Sequence, residues 1–133
     1  MPDADGKKRD SDLRERTKSF ALRIIRLYSS LPKTTESQVI GKQVLRSGTS
    51  VGANYREAQR AKSVRDFVSK MGTGLQELDE TCYWLELLTE SGILSEDKLK
   101  ELQKETDELT AIFVTIIMKM KNKRDGIASE ARG

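Results

Sequence analysis

The chain contains no histidine. That removes the commonest general base and the commonest metal ligand. Its single cysteine, Cys82, excludes an internal disulfide, and a Cys/His zinc site is excluded with it. No phosphate-loop or dinucleotide-binding glycine pattern occurs. No apolar run is long enough for a membrane span. The charged N-terminus lacks the apolar centre of a signal peptide. These absences point away from an enzyme and away from a membrane protein. No cofactor and no metal are expected, and a reducing, cytoplasmic location is. Aromatic content is 5% and there are only two prolines, so little interrupts helical segments.

What is present is charge and helix-forming residues. Charged side chains make up 34% of the 133 residues, and Ala, Glu, Lys, Leu and Arg are abundant. The length suits one domain with a real core. Net charge is +3 but unevenly spread: residues 1–70 hold 16 Lys/Arg against 8 Asp/Glu, and residues 71–133 hold 8 against 13. Such asymmetry fits a half that faces a polyanion, charge complementarity between subunits, or a solvated surface with internal ion pairs.

Apolar spacing predicts four helices. The first runs from about Ser11 to Ser30, with Leu13, Thr17, Phe20, Ile24, Leu27 and Leu31 on one face and Asp10 or Ser11 as its cap. Pro32 ends it. The second starts at Thr34 or Thr35 and reaches about Ala61, with Ile40, Val44, Ser47, Val51, Tyr55 and Ala58 inward. The third begins at Ser63, with Asp66 placed for a capping box. Its seam is Val64, Phe67, Met71, Leu75, Leu78, Cys82, Leu85 and Leu88 or Thr89, and Gly92 closes it, with Ile93 able to fold back against the last turn. The fourth follows Ser95, with Leu99, Leu102, Thr106, Leu109, Phe113, Ile116 and Met120 inward. Lys119, Lys121, Lys123 and Arg124 then crowd its end, where the helix dipole favours cations. Short connections favour antiparallel neighbours. The predicted fold is all-α, an antiparallel up-down-up-down four-helix bundle over residues 11–124, flanked by flexible segments at 1–10 and 125–133.

The second helix carries an unusual stretch, Arg46-Ser47-Gly48-Thr49-Ser50-Val51-Gly52-Ala53-Asn54-Tyr55-Arg56-Glu57-Ala58. Each glycine costs about 1 kcal/mol against Ala in a helix interior. The gain that offsets this is close approach by another helix or a ligand. Gly41, Gly48 and Gly52 line up as a thin stripe beside the apolar seam. Lys42, Arg46, Arg56 and Arg60 fall on another face, continued by Lys62 and Arg65.

This stretch, with Asp79-Glu80-Thr81 and Tyr83-Trp84-Leu85-Glu86-Leu87-Leu88, resembles the bacterial four-helix-bundle proteins of the rRNA intervening-sequence type. The resemblance spans roughly Leu13 to Lys123 and implies the four-helix bundle. A related fold serves as the accessory protein of diversity-generating reverse transcriptases. By that likeness the resemblance implies a homo-oligomer, a pentameric ring, that binds RNA or DNA and a polymerase.

Each candidate residue has a structural and a functional reading. The glycine stripe serves packing within the bundle or assembly of subunits. Asn54 and Tyr55 belong with it as helix-contact or interface residues; a buried Asn satisfies nearby backbone and fixes register. The basic residues Lys42, Arg46, Arg56, Arg60, Lys62 and Arg65 either form a solvated face with local ion pairs or contact phosphates. No aromatic platform interleaves with them, which favours sequence-independent backbone contact over base stacking. Asp79, Glu80, Glu86 and Glu90 lack the histidine partners of a di-iron bundle and fit ion pairs better. Cys82 reads as a buried, inert thiol, and Tyr83 and Trp84 as packing residues.

Overall fold

The computed structural model describes the backbone of residues 2–132 and the side chains of residues 12–123, 125 and 126. Four helices follow one another: α1 (Pro2–Ser30), α2 (Thr35–Gln59), α3 (Val64–Glu90) and α4 (Glu96–Arg132). The connecting residues 31–34, 60–63 and 91–95 are too few to do anything but reverse the chain.

Cross-helix pairs establish the antiparallel order. Gly41 faces Tyr28 and Leu31, Gly48 faces Ile24, and Gly52 faces Thr17, so residue numbers fall along α1 as they rise along α2. Ser47 meets Thr81 and Glu57 meets Lys70 across α2 and α3. Gly74 meets Phe113 across α3 and α4. Each helix packs on its neighbour in sequence, most extensively α2 on α3, and α4 closes only lightly on α1.

Local chemistry explains the helix ends. Thr34 caps α2, its side chain accepting from Ser37 N–H. Ser63 caps α3 by accepting from Asp66 N–H at 3.0 Å. Asp66 reaches back to Lys62 N–H, one residue before the cap, at 3.4 Å. Gly92 has φ +80°, a conformation that suits glycine after a helix end. There the N–H of Leu94 returns to Leu88 C=O at 3.0 Å, and Ile93 packs partly buried against the core.

Four expectations need correction. First, α1 begins at Pro2 and passes straight through Asp10 and Ser11, so neither caps it. Second, α4 continues to Arg132, so Lys119, Lys121, Lys123 and Arg124 do not form its last turn. The expected flexibility of segments 1–10 and 125–133 falls, apart from Asp125 and Gly126, on side chains that lie outside the described residues. Third, the buried stripe of α3 is Met71, Gly74, Leu78, Thr81, Leu85 and Leu88. Leu75 and Cys82 are only half-buried, because α3 turns toward α2, its most extensive neighbour. Fourth, Ile117 is buried and Ile116 half-buried, because α4 leans on α3 far more than on α1.

The core holds Leu13, Phe20, Ile24, Val44, Val51, Tyr55, Leu78, Leu85, Leu109 and Phe113 among others. Tyr55 and Phe113 rings pack tilted, with centroids 6.1 Å apart. Polar residues enter it as hydroxyls that stay satisfied. Thr17, Thr81 and Thr106 each donate to the carbonyl four residues earlier, at 2.7–2.8 Å.

Candidate nucleic-acid interface

The glycine stripe of α2 is filled from within the chain. A Cβ on Gly41 would lie 2.5 Å from Leu31 Cδ1, one on Gly48 2.7 Å from Ile24 Cγ1, and one on Gly52 3.0 Å from Thr17 Oγ1. The stripe is therefore a seat for α1. Gly74, which sequence reasoning passed over, does the same for α4: its Cβ would stand 2.8 Å from the Phe113 ring. The signal was there, since Gly74 sits three residues after Met71 and four before Leu78. Tyr55 is a core residue. Asn54 is half-buried, beside Gly74, and donates to the Ser50 carbonyl of its own helix at 2.9 Å.

The basic residues divide into two groups. Arg46 is spoken for: it donates to Glu77 at 3.2 Å and to Glu80 at 3.0 Å. Its guanidinium is held further in the charged form, first by the hydrogen bond to Glu80. Glu77 fares differently. Burial lifts its pKa above the usual carboxylate range despite Arg46, and the neighbouring Glu80 adds to the lift. The favourable half of this cluster is Arg46 with Glu80; Glu77 is a partly buried acid beside a second acid. Lys42, Arg56, Arg60, Lys62 and Arg65 are exposed, and none of their side chains has an ion pair among the described residues. Arg56 lies in the last turn of α2, where it complements the helix dipole. The free part of the basic surface is thus the C-terminal end of α2 and the turn into α3.

Elsewhere an arginine closes the bundle. Arg16 donates to Glu105 at 2.6 Å and to Glu108 at 2.9 Å, joining α1 to α4 where they otherwise barely touch. The hydrogen bond from Arg16 holds the Glu105 carboxyl below its ordinary pKa.

The acids sort unevenly. Glu80 is paired, whereas Asp79 and Glu90 have no ion pair among the described residues. Glu86 lies 3.6 Å from Cys82 Sγ at the edge of a wide α3–α4 groove of about 1110 Å³. Cys82 is half-buried, which corrects the expectation of a fully buried thiol. Burial, then the Glu86 charge, pushes it up to about 11. Tyr83 is exposed and its ring meets Trp84 edge-on at 5.0 Å. Among the described residues no three His, Cys, Asp or Glu come together as a metal site. No helix there is long and apolar enough to cross a membrane.

The family model for 23S rRNA-intervening sequence proteins matches residues 9–115. The chain belongs to this family. A crystal structure of a protein of unknown function from the S23 ribosomal protein family of Bacteroides thetaiotaomicron is similar to it at 38% identity. The match covers 82% of this chain and 97% of that one, with a TM-score of 0.77. No curated protein matches the chain. Within the run Arg46–Ala58 of this intervening-sequence protein the glycines serve the α1–α2 seam and the arginines lie outside.

Proposed function

We propose that this protein is a non-catalytic, self-assembling protein that binds RNA or DNA through phosphate contacts. The observation that supports this most is the set of cations left unspent. Arg16 and Arg46 are engaged by acids of the same chain, while Arg56, Arg60, Lys62 and Arg65, with Lys42, face outward without an ion pair among the described residues. Arginine's planar fork suits phosphate oxygens. No exposed aromatic shares this surface, so bases have nothing to stack on and sequence preference is weak.

Assembly into a ring of five is what the resemblance implies. The groove between α3 and α4 is lined by six acids, Glu86, Glu90, Glu96, Glu101, Asp107 and Glu108, against two cations, Lys100 and Lys104. This acidic excess complements the basic turn between α2 and α3 of another copy, which favours head-to-tail contact. A ring repeats the basic surface and strengthens weak contacts through effective concentration.

Anisotropy of labelled RNA and duplex DNA across a salt series tests the reading. The parent should bind at low salt and lose affinity steeply as salt rises. The variant Arg56→Glu/Arg60→Glu should lose binding and keep its helical signal. Light scattering should report several times the 15.0 kDa chain mass. A second reading, an accessory subunit of a reverse transcriptase or another nucleic-acid enzyme, is favoured by apolar side chains left outside, Val39, Tyr83 and Met118 among them. It takes first place if neither nucleic acid binds.

A further inference from the structure

Lys119, Lys121 and Lys123 have lost the explanation that a helix end would supply. The dipole acts on charges within the last turn. Here α4 runs on to Arg132, about two and a half turns past Lys123. All three lysines are exposed, and none has an ion pair among the described residues. Their position in the fold supplies a different one.

Between them, Met120 lines a hollow of about 410 Å³ at one end of the bundle, opposite Ala58, Lys62, Ser63 and Phe67. The α4 segment therefore stands against the turn that joins α2 to α3. Lys119 and Lys121 flank Met120 in sequence, and Lys123, three residues on, shares its helix face. The turn and its flanks carry Arg56, Arg60, Lys62 and Arg65. Two of the acids at this end are occupied: Glu57 is 3.8 Å from Lys70, and Asp66 accepts from the Lys62 backbone at the start of α3. Of the cations only Lys62 lines this hollow itself, but Met120 brings the lysine-bearing segment of α4 to the same end of the bundle as the α2–α3 turn.

We infer that the phosphate-binding surface is composite: the basic end of the bundle, where Lys119, Lys121 and Lys123 of α4 meet Arg56, Arg60, Lys62 and Arg65, grips the backbone of RNA or DNA. This rests on the nucleic-acid reading above and moves its centre from one face of α2 to the bundle end. The three lysines fall within about 6 Å along the α4 axis, on both flanks of Met120, with Lys119 on the side that faces Asp12 and Leu13 of α1. A duplex presents a phosphate about every 3.4 Å on each strand, so such density of charge has a matching ligand. The rim has no exposed Trp or Phe that would enter a bilayer, which sets a nucleic acid ahead of an anionic membrane.

The test uses the full chain, its Lys119→Gln/Lys121→Gln/Lys123→Gln variant and the Arg56→Gln/Arg60→Gln variant. Anisotropy with labelled single-stranded RNA and duplex DNA is followed across a salt series, with circular dichroism and light scattering as folding controls. Each variant should bind at least about tenfold more weakly at low salt. The slope of log K against log salt should become shallower by about 0.7–0.9 for each phosphate that is no longer neutralised. The inference is overturned if the lysine variant keeps the parent's affinity and slope while the arginine variant loses both; the nucleic-acid reading then stands alone. If the parent binds neither nucleic acid, that reading fails and this one with it. Equal lysine-dependent binding to phosphatidylserine vesicles at the same salt would also overturn it, in favour of a membrane surface.

Discussion

The hydroxyl oxygens of Thr81 and Ser47 share a hydrogen bond across 2.8 Å, and both side chains are fully buried between α2 and α3. Thr81 also lies 2.8 Å from its own helix's Glu77 carbonyl, while Ser47 has only Val44 O at 3.4 Å as an alternative. Thr81→Val keeps the shape and strips the donor, so it should cost about 1–2 kcal/mol. Ser47→Ala should cost less, because Thr81 keeps its carbonyl. The double variant should be less damaging than the sum by at least about 0.5 kcal/mol, as expected of residues in contact. Urea melts of the four proteins measure this; strict additivity would show that the pair carries no coupling.

The helical glycines should behave in opposite ways according to what stands above them. Gly48→Leu and Gly52→Leu must push Ile24 or Thr17 aside and should destabilise by about 1–3 kcal/mol or more. Gly72 has nothing within 4 Å of a built Cβ, so Gly72→Ala should stabilise by up to about 1 kcal/mol through helix propensity. Thr49→Ala gives up a hydroxyl bond to Leu45 C=O and gains propensity, and should shift little. Thermal melts rank the four. Leucine variants that melt at or above the parent temperature would remove the tight α1–α2 seam.

Arg46 is the basic residue that charge reversal should not leave intact. In Arg46→Glu a third acid would join Glu77 and Glu80, one of them partly buried. Stability should fall by about 1 kcal/mol or more, whereas Arg56→Glu and Arg60→Glu, at the exposed C-terminal end of α2, lose only a favourable dipole contact and should cost less, about 0.5 kcal/mol each. Denaturant midpoints decide between these. An Arg46→Glu protein as stable as the parent would mean that the pairing is not maintained in solution.

Two glutamates should show opposite pH dependence. Glu105 has its pKa depressed, chiefly by the hydrogen bond from Arg16, so its contribution is present above the ordinary glutamate pKa and is lost as pH falls through the lower folded value. Glu105→Gln should therefore cost about 1 kcal/mol at pH 7 and less at pH 3. Glu77 has its pKa raised, chiefly by burial, so its contribution is present below the ordinary value and is lost as pH rises through the higher folded one. Glu77→Gln should be neutral or stabilising at pH 7. Melts of parent and variants at both pH values check the two signs.

Cys82 should be slow to react. With its thiol pushed up to about 11, the thiolate fraction at pH 8 is roughly two orders of magnitude below that of a free cysteine. Alkylation of the folded protein should lag behind that of the urea-unfolded protein by about tenfold, because the greater nucleophilicity of a more basic thiolate offsets part of its scarcity. Comparable rates would show that burial and Glu86 do not protect it.

Periodicity alone determined that this chain makes four amphipathic helices with most of the core in Leu13, Phe20, Ile24, Val44, Val51, Leu78, Leu85 and Phe113. It also placed the caps at Thr34 and Ser63, because spacing of apolar residues and cap chemistry are properties of neighbours in sequence. What lay beyond it depended on which helix leans on which. The weak α1–α4 closure and the extensive α2–α3 contact turned α3 and α4 by one position, so that Thr81 and Ile117 were buried where Cys82 and Ile116 were expected. Whether a cation is free was equally out of reach. Arg46 and Arg56 share one face of α2 and look alike in sequence, yet acids 31 and 34 residues further on take up the first and leave the second. An ion pair depends on distance in space, and only the fold brings Glu77 and Glu80 to Arg46, or Met120 of α4 to the α2–α3 turn.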